Sequence, residues 1–514
     1  MESHDATVKA IAASVRRFYD RKKPFRIYHG STTCTRRILF ERDEIINTIK
    51  LANILKIDVE TRTALVEPNV SMDQLVEATL YLGLIPKVVM ELPGITVGGG
   101  FSGTSGESSS FKHGLFEQTI DWVEIVLATG EIVTASATER PDLFYGSASA
   151  FGTLGVLTLL RVQLIRAEPI VELTYYHVGS AREATERITE VISDPIHDYV
   201  DAILFGPSSG VVMVGRLVSQ HPDNLLVHRV SKSFNDWFYL QAKRIAMSSK
   251  DAVTVAIPVI DYLFRYDRGG FWMGRHAFRY FKIPFNRMTR WILDSLMHTR
   301  VLYHAMHTSK ITNRYIVQDL ALPTTKTQAF IDYIDRDFGI YPLWLCPIKD
   351  LHHGKPAFVS NASVRVGNSA DIMINVGVWG RGPTTRAAFT LANRAIERTV
   401  YEMSGQKALY AQAFYTEQEF WEIYDRDWYN NLRVKYGATS LPSIFEKVST
   451  EIDPVTQKHA DAGSQTVRLI NSVWGVWPLA GLCGLWKAIL GGEYLLATAR
   501  SREAEHKAEE TKQS

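Results

Sequence analysis

Pro93-Gly94-Ile95-Thr96-Val97-Gly98-Gly99-Gly100-Phe101-Ser102-Gly103-Thr104-Ser105-Gly106-Glu107-Ser108-Ser109-Ser110-Phe111-Lys112-His113-Gly114 contains seven glycines and seven small hydroxyl residues. Glycine lets the backbone take positive φ and lets a ligand lie against the main chain. Successive exposed N–H groups in such a run form concavities that hold anions, pyrophosphate above all, and Ser and Thr add donors without bulk. A flexible Gly/Ser linker has a similar composition. Here, however, Ile95, Val97, Phe101, Phe111 and Leu115 give the run apolar anchors. Gly98, Gly100 and Gly103 spell G-x-G-x-x-G, but the residues that follow are poor helix material, which argues against a Rossmann turn. No Gly-Lys-Ser/Thr follows, and no serine of the stretch stands in G-x-S-x-G, so a P-loop and a nucleophile elbow drop out. A dinucleotide site outside the Rossmann class remains.

Working outward, 514 residues are enough for a large core and two domains. A hydrophobic share of 46% and a charged share of 22% describe an ordinary globular protein, and a net charge of +2 gives no argument for nucleic acid. Cys34, Cys346 and Cys483 are far apart, so neither a disulfide framework nor a metal site is indicated, and a reducing compartment fits. Met1 to Asp20 lacks the apolar core of a signal peptide. Leu469 to Trp486 carries no charge and includes Trp474, Trp477 and Trp486, which points to membrane association through this C-terminal segment. A charged tail, 498–514, follows it.

Apolar spacing predicts a helix over Val8–Tyr19 with Val8, Ile11, Ala12, Val15 and Phe18 inward. Short strands are expected at Phe25–Tyr28, Leu55–Val59 and Thr63–Pro68, and Ser71 reads as an N-cap. Thr129-Gly130 marks a hairpin, and Pro141 opens a helix expected to run to Gly152-Thr153-Leu154-Gly155 before a strand at Val156–Ile165. A further hairpin is expected across Gly206–Gly210, and a long helix over Thr384–Met403. Trp237 to Tyr303 is rich in aromatics and arginines, and no internal repeat stands out.

Ile95-Thr96-Val97-Gly98-Gly99, Gly103-Thr104, Glu107-Ser108-Ser109-Ser110, Lys112 and Gly114-Leu115-Phe116 resemble the flavin-binding core of the delta-24-sterol reductase family. Asp142-Leu143-Phe144-Tyr145 and Gly152–Gly155 are similar to it as well, and so are later motifs: Val317-Gln318-Asp319, Tyr341–Pro347, Leu409-Tyr410-Ala411 and Glu419-Phe420-Trp421-Glu422. The resemblance covers roughly residues 5 to 450. It implies an α+β protein of the vanillyl-alcohol-oxidase type: a two-lobed PCMH-type FAD-binding domain over 1–168 and an α+β substrate domain on an antiparallel sheet over 169–450. A C-terminal extension, 451–514, carries the Trp-rich segment 469–486 and the charged tail.

The same resemblance implies FAD cradled by Thr96, Val97, Gly98, Gly99, Gly103, Thr104, Ser105, Gly106, Glu107, Ser108 and Ser109, with Gly152, Thr153 and Gly155 opposite. The superfamily's covalent members attach flavin at a Gly-His pair; here the order is His29-Gly30, so FAD is expected to be non-covalent. NADPH would be the reductant, and a sterol or triterpenoid with a side-chain alkene the substrate, at the endoplasmic reticulum membrane. Such an alkene also needs a proton. Tyr410, Glu107 and Lys112 are the candidate catalytic residues, with His113 beside them. In the family's pattern Tyr-Ala is followed by Asp and, two residues later, by a second Tyr; Gln412 and Phe414 stand there here. That departure keeps a flavin dehydrogenase, an oxidase, a double-bond isomerase and a silent flavoprotein scaffold open as alternatives.

Overall fold

The computed structural model describes residues 2–30, 42–220, 225–248, 250–309, 314–349, 372–450 and 486. The Trp-rich stretch 469–486, apart from Trp486, and the charged tail lie outside them. Among the described residues, no helix is long and apolar enough to cross a membrane.

The first helix is Glu2–Asp20, and it buries Val8, Ile11, Ala12 and Val15, the stripe its spacing predicts. The strand Gly155–Arg166 is the hub of a six-stranded sheet. It lies between Thr63–Val66 and Ile120–Leu127 and also pairs, at its C-terminal end, with Leu84–Pro86; Ile54–Asp58 and Ile132–Ser136 are the outer strands. Every pairing in it is antiparallel. A small parallel pair, Arg26–Tyr28 with Ile45–Asn47, lies apart from it.

The predicted continuous helix from Pro141 needs correction: it spans only Pro141–Ser147. Ser149, Phe151 and Gly152 all take positive φ, and the amides of Ser149 and Phe151 donate to the carbonyls of Phe101 and Ser102. Bonding to the glycine run outcompetes helix continuation. The Gly206–Gly210 segment reads G-x-S-x-G, but it closes a hairpin in which Gly206 pairs with Ser209.

An eight-stranded antiparallel sheet fills the second half of the molecule. Its topology contains a repeat that the sequence does not display. Ile170–Val178, the helix Ala181–Val191, Tyr199–Gly206 and Ser209–Val218 form one strand-helix-strand-strand unit. Tyr315–Pro323, the helix Thr324–Phe338, Leu343–Lys349 and Ile372–Arg381 form the other. The two meet where Tyr199–Gly206 pairs with Leu343–Lys349, so strand order runs in mirror sense from that seam. What repeats is connectivity; the apolar side chains filling equivalent places differ.

Alternation along these strands splits the core. Val200, Ala202, Leu204, Leu343 and Leu345 pack under the helices Ala181–Val191, Thr324–Phe338 and Arg386–Glu402. Tyr199, Ile203, Trp344, Cys346 and Trp379 face the other way and join the core of the first sheet. The helices Glu417–Ile423 and Arg426–Lys435 return to the first region, where Tyr429 donates to Thr153 at 2.8 Å and Tyr436 to Asp142 at 2.8 Å.

Candidate functional site

The glycine run folds as a short helix, Val97–Gly103, capped by Thr96, whose Oγ1 accepts the Gly99 amide at 3.1 Å. Val97 and Gly98 donate their amides to Val70 and Pro68 at 2.9 and 2.8 Å, fixing the helix to the neighbouring loop. The backbone then opens. Among the described residues, the amides of Thr104, Ser105 and Gly106 have no acceptor, so three consecutive donors are left for a ligand. Gly99 is exposed between buried neighbours, and among the described residues a Cβ there would meet only Thr96 Oγ1 within 4 Å.

These groups border a cavity of about 460 Å³ between the two sheets. Thr96, Gly98, Gly99, Gly103, Thr104, Ser105 and Gly106 line it, with Gly152 and Gly155 across from them. Val97, Ser108, Ser109 and Thr153 stand behind the lining and hold it: Ser109 donates to the Lys87 carbonyl at 3.0 Å and Thr153 to that of Ala150 at 2.8 Å. His29 also faces the cavity; burial lowers its pKa, and among the described residues its buried Nδ1 has no partner. Open amides, a side-chain-free floor and an orphaned ring nitrogen fit a large anionic dinucleotide such as FAD. Phe271, Trp344 and Trp379 form an aromatic wall further in, the two indoles stacked with centroids 5.8 Å apart and Phe271 edge-on to both at 5.4 and 4.4 Å.

The proposed catalytic residues separate. Tyr410 lines the cavity and donates its hydroxyl to Asp319, whose other oxygen accepts from Asn375 at 2.9 Å. Burial raises the pKa of Asp319 and pushes Tyr410 well above the ordinary phenol value. Glu107 is held elsewhere. Its carboxylate lies 2.9 Å from Arg265, itself 3.0 Å from Asp201, and none of the three lines the cavity. Lys112 is tied to Asp198 at 2.9 Å and to the Pro195 and His197 carbonyls. His113, lowered to about 4 by burial and nearby lysines, is absent from the lining as well.

Gln412 and Phe414 do not line the cavity either. Lys407 donates to the Gln412 carbonyl at 2.5 Å, and the Phe414 ring packs edge-on against Phe389 in the core under the helices. A residue that sequence reasoning passed over stands inside instead. Glu91 lines the cavity, and burial together with the charge of Glu107 pushes its carboxyl up to about 8. No motif surrounds it; only the folded cavity distinguishes it. Among the described residues, no cluster of metal-ligating side chains forms.

The glycine helix yields a direct test. A Cβ on Gly98 would sit 2.5 Å from Pro68 Cβ and 2.9 Å from its carbonyl oxygen, whereas one on Gly103 meets only Phe151, at 3.5 Å. Gly98→Ala is expected to destabilise by about 1–3 kcal/mol through overpacking and to lower the flavin-to-protein ratio of the purified protein. Gly103→Ala keeps the melting temperature. Equal melting temperatures for the two variants would refute the packing argument.

The family described as FAD binding domain matches residues 6–136. The sequence is 31% identical over 445 residues to a Delta(24)-sterol reductase of Arabidopsis thaliana, covering 80% of this protein and 78% of that one. Identity to the Pisum sativum enzyme of the same name is 30% over 448 residues, with the same coverage. To that of Homo sapiens it is 27% over 403 residues, 78% of this protein and 77% of the other. With the nucleotide cradle, the apolar cavity and the antiparallel sheet in place, the chain belongs to the Delta(24)-sterol reductase family and is an FAD-dependent oxidoreductase related to those enzymes at modest identity.

Proposed function

We propose that the protein reduces the side-chain alkene of a sterol or triterpenoid, with NADPH as the source of hydride and Glu91 as the source of the proton. One juxtaposition carries this reading: Glu91, Asp319 and Tyr410 all face one largely apolar cavity that begins at the glycine run. Bound FAD would supply the hydride chemistry that an isolated alkene requires.

The protein's own residues do the rest. Thr104 to Gly106 hold the diphosphate through main-chain amides. The aromatic wall excludes water and offers an apolar surface to a fused-ring substrate. Of the proton-holding groups, a neutral carboxyl at about 8 is a stronger acid than a phenol pushed well above its usual 10. Glu91 therefore donates and Tyr410 positions, holding Asp319 and the substrate tail in place. The catalytic parts given to Glu107 and Lys112 pass to residues inside the cavity. Residues 1–168 serve as the cofactor module and 169–450 as the substrate module in this reading. Work on a sterol would suit a position at the endoplasmic reticulum membrane.

Anaerobic mixing of the purified protein with NADPH, followed by mass spectrometry of a sterol panel, tests the proposal. The yellow flavin absorbance is expected to bleach, and a side-chain-unsaturated sterol to gain two mass units as hydride and proton add across the double bond. Bleaching by substrate alone, without NADPH, would indicate a dehydrogenase or oxidase and overturn it.

A further inference from the structure

The connection between the two halves of the repeated sheet, residues 219–314, walls the cavity with Phe271, Met273, Leu302 and Tyr303. Its outer side is unusual. The helix Arg287–Ile292 is inverted: Arg290 is buried, while Met288, Trp291 and Ile292, at i, i+3 and i+4, are 68%, 55% and 62% exposed. Such spacing puts the three on one face. Phe234 and Met247 stand out nearby at 57% and 74%, and Asp236 joins this helix to the helix Phe238–Ser248 by pairing with Arg244 and, at 2.5 Å, with Arg290. Among the described residues, eight of the nineteen large hydrophobics exposed to solvent fall between 226 and 292.

The charge there is one-sided. From 229 to 292 the sequence has twelve Lys and Arg against four Asp and no Glu. Arg275, Arg279 and Arg287 are exposed, and among the described residues none of the three pairs with a carboxylate. Aromatic and aliphatic tips ringed by unpaired arginines match a membrane surface, where the tips enter the headgroup boundary and the cations meet anionic lipid. A second copy of this protein would set like charges against each other, and the Leu469–Trp486 segment carries no charge to balance them.

We infer that the outer face of residues 226–292, centred on Met288, Trp291 and Ile292, docks the protein on an anionic phospholipid bilayer, beside the cavity wall. This does not depend on which alkene is reduced.

Flotation of the full-length protein with vesicles tests it. The protein is expected to float with vesicles of equal parts phosphatidylcholine and phosphatidylserine, and much less with phosphatidylcholine alone. The variant Met288→Ser, Trp291→Ser, Ile292→Ser should bind the mixed vesicles at least about tenfold more weakly, with its melting temperature and flavin content kept. Arg279→Glu with Arg287→Glu should remove the preference for phosphatidylserine. Unchanged flotation of the triple variant would overturn the proposal, since another segment would then hold the membrane. So would a dimeric wild-type protein that the triple variant turns monomeric.

Discussion

Glu91→Gln is expected to slow product formation by about 10²–10⁴-fold, the usual worth of a positioned general acid, while NADPH still bleaches the flavin. The amide keeps the shape of the side chain and loses the proton. The pH profile provides a second reading. Glu91 acts in its neutral form, so turnover should be flat at low pH and fall as pH rises through about 8, where its carboxyl ionises. In Glu91→Gln that alkaline fall should vanish from the residual rate. The same raised pKa bears on stability: the neutral form favoured by the fold is fully present below the ordinary carboxylate value of 4.5, and the benefit is lost as pH climbs towards about 8. Tyr410→Phe should cost less. It leaves a buried Asp319 oxygen without a donor, worth about 1–3 kcal/mol, or roughly five- to 150-fold in rate. A Tyr410→Phe loss larger than that of Glu91→Gln would reverse the two roles.

Arg265→Met is expected to cost about 3–5 kcal/mol of stability, because it leaves two buried carboxylates, Glu107 and Asp201, facing each other without a cation. Tyr266 and Trp344 still donate to Asp201, at 2.7 and 3.0 Å, and Ser108 to Glu107 at 2.5 Å. Hydrogen bonds of this kind do not replace a charge. Glu107 directly follows the open amides of Thr104 to Gly106, so flavin retention should fall along with the urea midpoint. Adding Glu107→Gln and Asp201→Asn to Arg265→Met should restore much of the loss, since amides bear burial better than unpaired ions. A single variant with an unchanged midpoint would show that the cluster contributes little.

The cofactor side of the site was legible because backbone requirements leave marks in sequence. Only glycine tolerates the approach of Gly98 to Pro68, and Thr96 is placed to cap the helix that follows. The proposed acid was not legible. Glu107 attracted the proton-donor role by standing next to the glycines, yet its orientation is set by Arg265, 158 positions further on. Glu91 precedes Pro93 in a plain loop, and what raises its pKa is enclosure by segments that meet only on folding. Gln412 and Phe414 drew attention as departures from a familial pattern, and both turn out to lie off the cavity. The repeat in the second sheet was hidden for a related reason: topology can recur without any recurrence of side chains.

The cavity is bordered by residues as early as Arg26 and as late as Lys447. During synthesis, therefore, an emerging N-terminal portion has the glycine rim with Gly152 and Gly155 across from it, but not the aromatic side supplied by Phe271, Trp344 and Trp379. Full enclosure of a flavin would await release of nearly the whole polypeptide from the ribosome, so a yellow protein would mark a finished polypeptide and not a folded first half.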